Sequence, residues 1–319
     1  MTDLVTFGEA TLRLRTKRGS RLSRTDTFDT RAGGLEGNTA VTASALNADA
    51  VWLSRLPESP LGRRVISELR SHGVRTGVSW GDEDDRLATV FVDTGVEPRG
   101  RALVRDDAGT AFTKVHAANL PLDVVRGADC FYVTGITPSR SKRAASATAS
   151  LLETAAEAGT TTAFDLRYRE RCWTRDEARA VCESLFANVD VLFATLSEAG
   201  AVFDEEGDPV EVAHALRTTY EFETVVLLRR DGSAFATHGD EIHEAGAVEG
   251  ETVDAAGSED AFVGGFLAQR VDGGAVDDAL RWGAAASALA KTLDGDAVDV
   301  PRAQVERIAA EQAAEETGR

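Results

Sequence analysis

The chain is poor in lysine: only Lys17, Lys114, Lys142 and Lys291 occur among its 35 basic residues, and the rest are arginine. Base of either kind is too scarce to balance 53 acidic residues, so the formal net charge is −18. A chain of that sign lacks the basic stripe that grips phosphodiester backbones, which disfavours nucleic-acid binding. No segment approaches the roughly 20 apolar residues that a bilayer span requires. The start, MTDLVTFGEATLRL, has no basic residues leading into a long apolar run. A soluble, cytoplasmic protein with no membrane partner is expected. Cysteine is scarce too: Cys130, Cys172 and Cys182 are odd in number, far apart and without a CxxC spacing. Neither a disulfide framework nor a zinc ribbon is indicated, and the three read as reduced packing residues.

The acid that is present is spread through GDEDD, DEEGD and AEQAAEE rather than massed in one tail, which is the pattern of a solvated surface. Self-repulsion of this size is tolerated where salt shortens the Debye length toward about 3 Å, its value at 1 M. The composition therefore suggests a halophilic cytoplasm, a hypothesis that loss of structure on dialysis into low salt tests.

With 319 residues, 43% of them hydrophobic, the chain can bury a large core as one domain over 1–319 with an attached subdomain. Apolar strand-like runs at 4–9, 50–56, 129–135, 160–166, 189–194 and 223–228 alternate with helical patterns. ESPLGRRVISELRSHG offers Ser59 as N-cap, Pro60 at the first helical position and Gly73 as a stop. TRDEARAVCESLF opens on a capping-box pairing of Thr174 with Glu177. Continuous apolar strands between helices predict a mostly parallel sheet covered on both faces, a three-layer α/β/α core. Two stretches, about 11–35 and 86–109, read instead as alternating strands with polar turns, the second as a hairpin around EPRG, and are expected to form a small β lid. No internal repeat is visible, and the final AAEQAAEETGR is expected to fray.

Ligands of open parallel sheets sit at the carboxyl ends of the strands, so the loops there are where chemistry is sought. In AGGLEGN, Gly33 and Gly34 precede a helix expected to begin near Asn38; the spacing does not fit a dinucleotide fingerprint. The stretch is either an ordinary glycine turn or a close backbone approach to a polar ligand read by the Asn38 amide. In TVDAAGSEDAFVGGFLAQR, a strand is expected to end at Val253, with Gly257 turning the chain into a helix whose free N–H groups face the turn. Asp260 at the helix start is either an N-cap or a general base beside an oxyanion cradle. Geometry alone leaves the two open.

AGGLEGN and DAAGSEDAFVGGF resemble the two signature segments of the ribokinase-like (PfkB) sugar kinases. VTFGE at 5–9, LPESPLGRRVISELRSHGV at 56–74, TGITPS at 134–139 and FDLRYRERCWTRDEAR at 164–179 extend the likeness along essentially the whole chain, which is most similar to the 2-keto-3-deoxygluconate kinases. The last segment is the most specific, with Asp165, Arg169 and Trp173 at family positions. The resemblance implies a ribokinase-like fold and ATP-dependent phosphorylation of 2-keto-3-deoxygluconate or -galactonate to its 6-phosphate. Asp260 would be the base, with the backbone of Ala256, Gly257, Ser258, Glu259 and Asp260 as anion hole. Gly33, Gly34, Asn38, Arg105 and Arg169 would contact the sugar acid. ATP would lie against the loop LLRRDGS, with Leu228, Arg230 and Gly232, and against a helix carrying Ala284 and Ala288; tight helix packing explains these alanines equally well. Glu198 would organise Mg²⁺ through water. K⁺ is left open as a further ion, and a homo-oligomer is expected.

The chain departs from the family at several of these places. Gly257-Ser258-Glu259-Asp260 stands where Gly-Ala-Gly-Asp is usual, Thr195 for an Asn, Leu228 and Arg230 for Lys and Gly, Arg167 for an Asn and Leu103 for a lid tyrosine. Glu259 poses the sharpest question. A carboxylate about 4 Å from a phosphate charge costs on the order of 4 kcal/mol at an effective dielectric of 20, roughly a thousandfold in rate. An outward side chain would leave only left-handed strain of roughly 1–2 kcal/mol. The alternatives are a working kinase with Glu259 turned to solvent, a catalytically weakened sugar-binding or regulatory homologue, and a kinase for a neutral sugar such as fructose.

Overall fold

The computed structural model describes residues 2–296 and 300–317. Its strands are β1 (Thr2–Phe7), β2 (Thr11–Arg15), β3 (Asp29–Gly33), β4 (Ala50–Pro57), β5 (Arg75–Gly81), β6 (Ala88–Asp93), β7 (Ala102–Asp106), β8 (Ala128–Thr134), β9 (Thr161–Asp165), β10 (Val191–Thr195), β11 (Thr224–Leu228), β12 (Ala234–His238) and β13 (Glu241–Ala245). The α-helices are α1 (Leu35–Ala45), α2 (Pro60–Ser71), α3 (Leu122–Arg126), α4 (Ile136–Ser139), α5 (Lys142–Ala158), α6 (Arg175–Phe186), α7 (Leu196–Phe203), α8 (Pro209–Tyr220), α9 (Ser258–Val271), α10 (Val276–Lys291) and α11 (Arg302–Thr317).

One nine-stranded sheet runs in the order β13-β12-β11-β10-β9-β8-β1-β4-β5. Every pairing from β11 to β5 is parallel; only β12 and β13 run antiparallel. All six strands read from the sequence lie in this sheet. Their side chains alternate between its faces, as a period of two requires. In β8, Phe131 and Val133 pack with Leu151 of α5 and Cys182 of α6, while Cys130 and Tyr132 pack with Phe266 of α9 and Ala285 of α10. Both faces are apolar because both are covered, which gives the α/β/α layering.

The helix ends follow their local chemistry. Ser59 Oγ accepts from Gly62 N at the start of α2, Pro60 occupies the first turn, and Gly73 takes φ +82° just beyond the end. Both halves of the Thr174–Glu177 capping box are formed at α6. The strand expected to end at Val253 is absent: the segment is irregular and Val253 is 61% exposed. Lys291 O accepts from the N–H groups of Val253 and Asp254, so these backbone groups bond to the end of α10 instead of a sheet neighbour. Residues 302–317 form α11, docked by Val305 and Ala309, rather than frayed coil; the final two residues lie outside the described residues.

The two stretches expected to form the lid supply a second sheet, β3-β2-β6-β7, with the β6–β7 hairpin turning through the EPRG segment. Its base is anchored by Leu12 and Ala32, which join Val41, Trp52 and Val65 in a third apolar cluster, whereas β7 is exposed throughout. Ion pairs tie it to the core: Arg13–Asp296 at 2.7 Å and Arg15–Asp254 at 2.9 Å in the interior, and Arg15–Asp294 at 2.8 Å with Asp294 exposed. Arg101 in the hairpin also reaches Asp254, at 3.4 Å. These contacts place the small sheet over the end of the large one that carries the start of α9. Among the described residues no helix is long and apolar enough to cross a membrane, and the three cysteines are free thiols.

Candidate active site

The loops after β9 and β11 and the N-termini of α1 and α9 surround a cavity of ≈ 390 Å³ walled by Arg13, Arg167, Asp260, Ser287 and Lys291 among others. A wider cleft beside it, bordered by Thr195 and Glu198, shares Arg169, Leu228, Arg229, Arg230 and Glu259 with it.

The turn into α9 requires glycine at 257: its φ is +76°, and a Cβ there would lie 2.1 Å from the Asp296 carbonyl oxygen. The helix begins at Ser258, so Gly257 is the N-cap and Asp260 stands in the first turn. The N-cap reading of Asp260 is thereby overturned. Its carboxylate is held from two sides instead, Oδ2 by Asn38 Nδ2 at 2.8 Å and Oδ1 by Arg167 Nη2 at 2.9 Å. Burial raises its pKa to about 6, with Arg167 and Asn38 pulling the other way. A buried, directed carboxylate that still ionises near neutrality is suited to accept a proton.

The backbone N–H groups free to receive an anion are fewer than Ala256 to Asp260. Ala256 N–H donates to Asp254 Oδ1 at 3.0 Å and Ser258 N–H to Ala255 O at 3.3 Å, so both are consumed by the turn. Among the described residues no acceptor is found for the N–H groups of Gly257, Glu259 and Asp260. Glu259 lies on the helix with ordinary φ, so left-handed strain does not arise. It is neither free in solvent nor unpaired against the cavity, because its carboxylate pairs with Arg167 Nη1.

Arg167 is the residue whose role sequence reasoning missed. It follows β9 with φ +43°, and its side chain is 5% exposed. Nε donates to Asp165 Oδ2 at 2.6 Å, and the two remaining nitrogens reach Glu259 and Asp260. Burial lifts the Asp165 pKa to about 7 despite the neighbouring guanidinium. Burial alone would depress Arg167; Asp165, Asp260 and Glu259 together carry it well above its ordinary value. The available signal was that two departures from the family, Arg167 and Glu259, have opposite charge.

The other expected residues divide. Helix α1 starts at Leu35 rather than near Asn38, because Gly34, at φ +150°, turns the chain where a Cβ would be 2.5 Å from Glu9 O. Gly33 leaves room for Arg13, whose Nε would lie 2.6 Å from a Cβ. Asn38 points inward, donating to Asp260 and, at 3.3 Å, to Asp296. Arg105 and Arg169 do not converge. Arg169 Nη1 donates to Glu198 Oε1 at 3.2 Å and to Tyr168 O at 2.9 Å, which places it between the two cavities. Arg105, on exposed β7, does not wall the Asp260 cavity; Arg13 does. No hydrogen-bond or ion-pair partner of Arg105 is found among the described residues. Its pKa is lowered by partial burial and then by the like charge of Arg171, with Arg13 contributing less.

The sequence matches the family model described as pfkB family carbohydrate kinase over residues 1–303. The chain belongs to that family. It is 45% identical over 306 residues to a 2-dehydro-3-deoxygalactonokinase of Haloferax volcanii, covering 96% of each chain. It is 26% identical to a 2-dehydro-3-deoxygluconokinase of Bacillus subtilis, over 94% of this chain and 92% of that one. The crystal structure of a 2-dehydro-3-deoxygluconokinase from Thermotoga maritima superposes with a TM-score of 0.91 at 29% identity, covering 97% of this chain and 98% of that one. The fold is thus ribokinase-like, and the protein is a carbohydrate kinase.

An ATP-dependent kinase needs a nucleotide cradle, and the cavity fits one. Of the residues named for it, Leu228, Arg230, Gly232, Ala256 and Gly257 wall this cavity. A Cβ at Gly232 would lie 2.9 Å from Lys291 Nζ and would fill part of the space. Ala284 does not wall it: at 1% exposure it belongs to the core packed between α9 and α10, and Ala288 is likewise not on the wall. Ser287 and Lys291, one helical turn apart on α10, take that place. For magnesium, no cluster of three or more acidic, histidine or cysteine side chains able to hold a metal exists among the described residues. Glu198 caps α7 through Thr195, its Oε2 accepting from Thr195 N and Oγ1 at 3.0 Å, while its Oε1 faces the cleft beside Arg169. One carboxylate next to a cation fits an ion that keeps most of its own waters and binds nucleotide phosphates, not a protein cage.

Proposed function

We propose that this kinase transfers the terminal phosphoryl group of ATP to the 6-hydroxyl of a 2-keto-3-deoxy sugar acid, 2-keto-3-deoxygluconate or 2-keto-3-deoxygalactonate. The observation that carries the reading is Asp260: a buried carboxylate oriented by Asn38 and Arg167, in the first turn of a helix where its own N–H and that of Glu259 have no acceptor among the described residues. Asp260 takes the hydroxyl proton as the oxygen attacks phosphorus, and the N–H groups of Gly257, Glu259 and Asp260 receive the charge of the transferring group. Mg²⁺, held through water by Glu198, would neutralise phosphate charge. Arg105, carried on the small sheet outside the cavity, would reach the sugar carboxylate as that sheet closes, while Arg13 on the cavity wall is already paired with Asp296. The small sheet acts as a lid that keeps water, the competing acceptor, from the phosphoryl group.

Pairing of Glu259 with Arg167 lessens the repulsion that favoured a weakened homologue, although the same guanidinium also serves Asp165 and Asp260. Separation of Arg105 from Arg169 is the observation that keeps a neutral sugar in view. An ATP-coupled assay in molar KCl with 2-keto-3-deoxygluconate, 2-keto-3-deoxygalactonate, fructose and ribose separates these readings. Turnover of the sugar acids alone is expected. Preference for fructose would reject the sugar-acid assignment, and binding without turnover would reject the kinase reading.

A further inference from the structure

Three carboxylates from two elements converge on one guanidinium. Arg167 Nε meets Asp165 at 2.6 Å, Nη2 meets Asp260 at 2.9 Å, and Nη1 meets Glu259. A planar fork held at all three nitrogens has no rotational freedom left, and so transmits its own position to whatever it binds. Its backbone sits at φ +43°, a conformation that a residue with a Cβ adopts only against steric resistance. The Asp260 carboxylate is the inner of its terminal partners, with a side chain 3% exposed; Glu259 is the outer one, at 49%. Asn38 fixes the second Asp260 oxygen from the opposite side.

We propose that Arg167 and Glu259 are a coupled pair of positioning residues for phosphoryl transfer: Glu259 anchors the outer nitrogen of Arg167, and Arg167 aims the Asp260 carboxylate at the attacking hydroxyl. The proposal rests on Asp260 being the base. The anchor matters because Arg167 and Glu259 both wall the cavity that suits the nucleotide phosphates. Phosphate is a strong bidentate partner for guanidinium, and a free outer nitrogen would let it draw Arg167 away from the base. Glu259 occupies that nitrogen. In turn Arg167 holds the Glu259 carboxylate against itself and weakens its repulsion of an anion bound at the turn.

The charges around the base set a readout that packing alone would not move. Asp260 faces Arg167 from the β9 loop, Asp296 from the segment after α10 and Glu259 from its own helix, with the Asn38 amide from α1. Behind Arg167 stand Asp165, Glu198 and the Tyr132 hydroxyl. Removing the guanidinium leaves Asp260 among acids, so its proton should be held more tightly.

The test is kcat/KM against pH for the full chain in molar KCl, with ATP, Mg²⁺ and the sugar acid turned over by the wild type. Arg167→Gln is expected to lower kcat about thirtyfold or more and to move the acid limb up by about one pH unit or more. Arg167→Lys should return the limb toward its wild-type position while recovering only part of kcat, since it restores the charge without the fork. Glu259→Gln should lower kcat about threefold to tenfold, and adding it to Arg167→Gln should cost less than the product of the two losses. An unmoved acid limb in Arg167→Gln, a strictly multiplicative double variant, or a faster Glu259→Gln would overturn the pairing. Should Arg167→Gln not fold, the Arg167→Lys and Glu259→Gln cycle carries the same coupling test. Asp260→Asn in parallel separates the two levels: full activity there refutes the base, whereas its inactivity alongside a wild-type profile in Arg167→Gln refutes only the pair.

Discussion

Asn38 Nδ2 and Asp260 Oδ2 are 2.8 Å apart across 222 residues of sequence. The contact joins the first turns of α1 and α9, so that both helix N-termini point at one place. It leaves Asp260 no capping duty and makes the carboxylate part of a directed network.

Substituting Asn for Asp260 therefore removes the base and also one arm of the Arg167 network. Phosphorylation should fall at least about a hundredfold. Stability should not fall, because burial already disfavours the ionised carboxylate and the amide carries no charge to desolvate. Urea unfolding beside the activity assay checks both; a markedly less stable variant would show that the Arg167 contact outweighs that burial cost.

The pH dependence follows from the raised carboxyl pKa. Asp260 works only when ionised, so kcat/KM should rise about tenfold per pH unit up to about pH 6 and then level off. Stability runs the opposite way. Asp260 and Asp165 bind protons more tightly folded than unfolded, so their contribution is full below 3.8 and is lost as pH rises through about 6 and about 7. Unfolding free energies measured on either side of this window in constant salt would show the fall; a rise would reverse the assignment.

The two expected substrate arginines should behave differently. Arg105→Ala should raise KM for the sugar acid about thirtyfold or more, as the loss of a charge-assisted contact does, with KM for ATP unchanged. Arg169→Ala frees Glu198 and should weaken ATP and its magnesium dependence as well. Equal effects of the two variants on both substrates would contradict the placement of Arg169 between the cavities.

Arg15 ties the lid to Asp254, which also accepts the Ala256 N–H inside the turn. Arg15→Ala should loosen the lid and the turn together, raising KM for the sugar acid about tenfold and increasing ATP hydrolysis relative to transfer. Unaltered coupling of hydrolysis to transfer would show that other contacts suffice to close the lid.

The charge of −18 bears on salt. Thermal unfolding followed by circular dichroism from molar KCl down to about 0.1 M should show a falling midpoint as the Debye length grows to about 10 Å. A midpoint independent of salt would end the halophilic hypothesis.

Much of the architecture could be read from neighbouring residues. Ser59 with Pro60, and Thr174 with Glu177, start their helices by contacts only a few residues long, so α2 and α6 were legible with their caps. The six inner strands announced themselves by continuous apolar runs. Strands β5 and β13 did not, because edge positions relax the need for apolar residues on every face, as the exposed Glu241 and Ile242 of β13 show; β12, buried but only five residues of AFATH, has too short a run to stand out. The expected strand at Val253 failed because its backbone found a partner in α10, 38 positions along the chain.

The sequence by itself determined the layered fold, the lid strands, the family and the candidacy of Asp260, because periodicity, caps and motif residues act over short separations. The tertiary structure alone decided whether Glu259 stands unpaired or is held by a cation, since its partner Arg167 stands 92 residues away. It also decided that Asp296, 258 residues from Asn38, closes around the same amide. The physical reason is the steep dependence of ionic and hydrogen-bond energy on distances of a few ångströms, and those distances are set by how α1, α9 and the loop after β9 pack together.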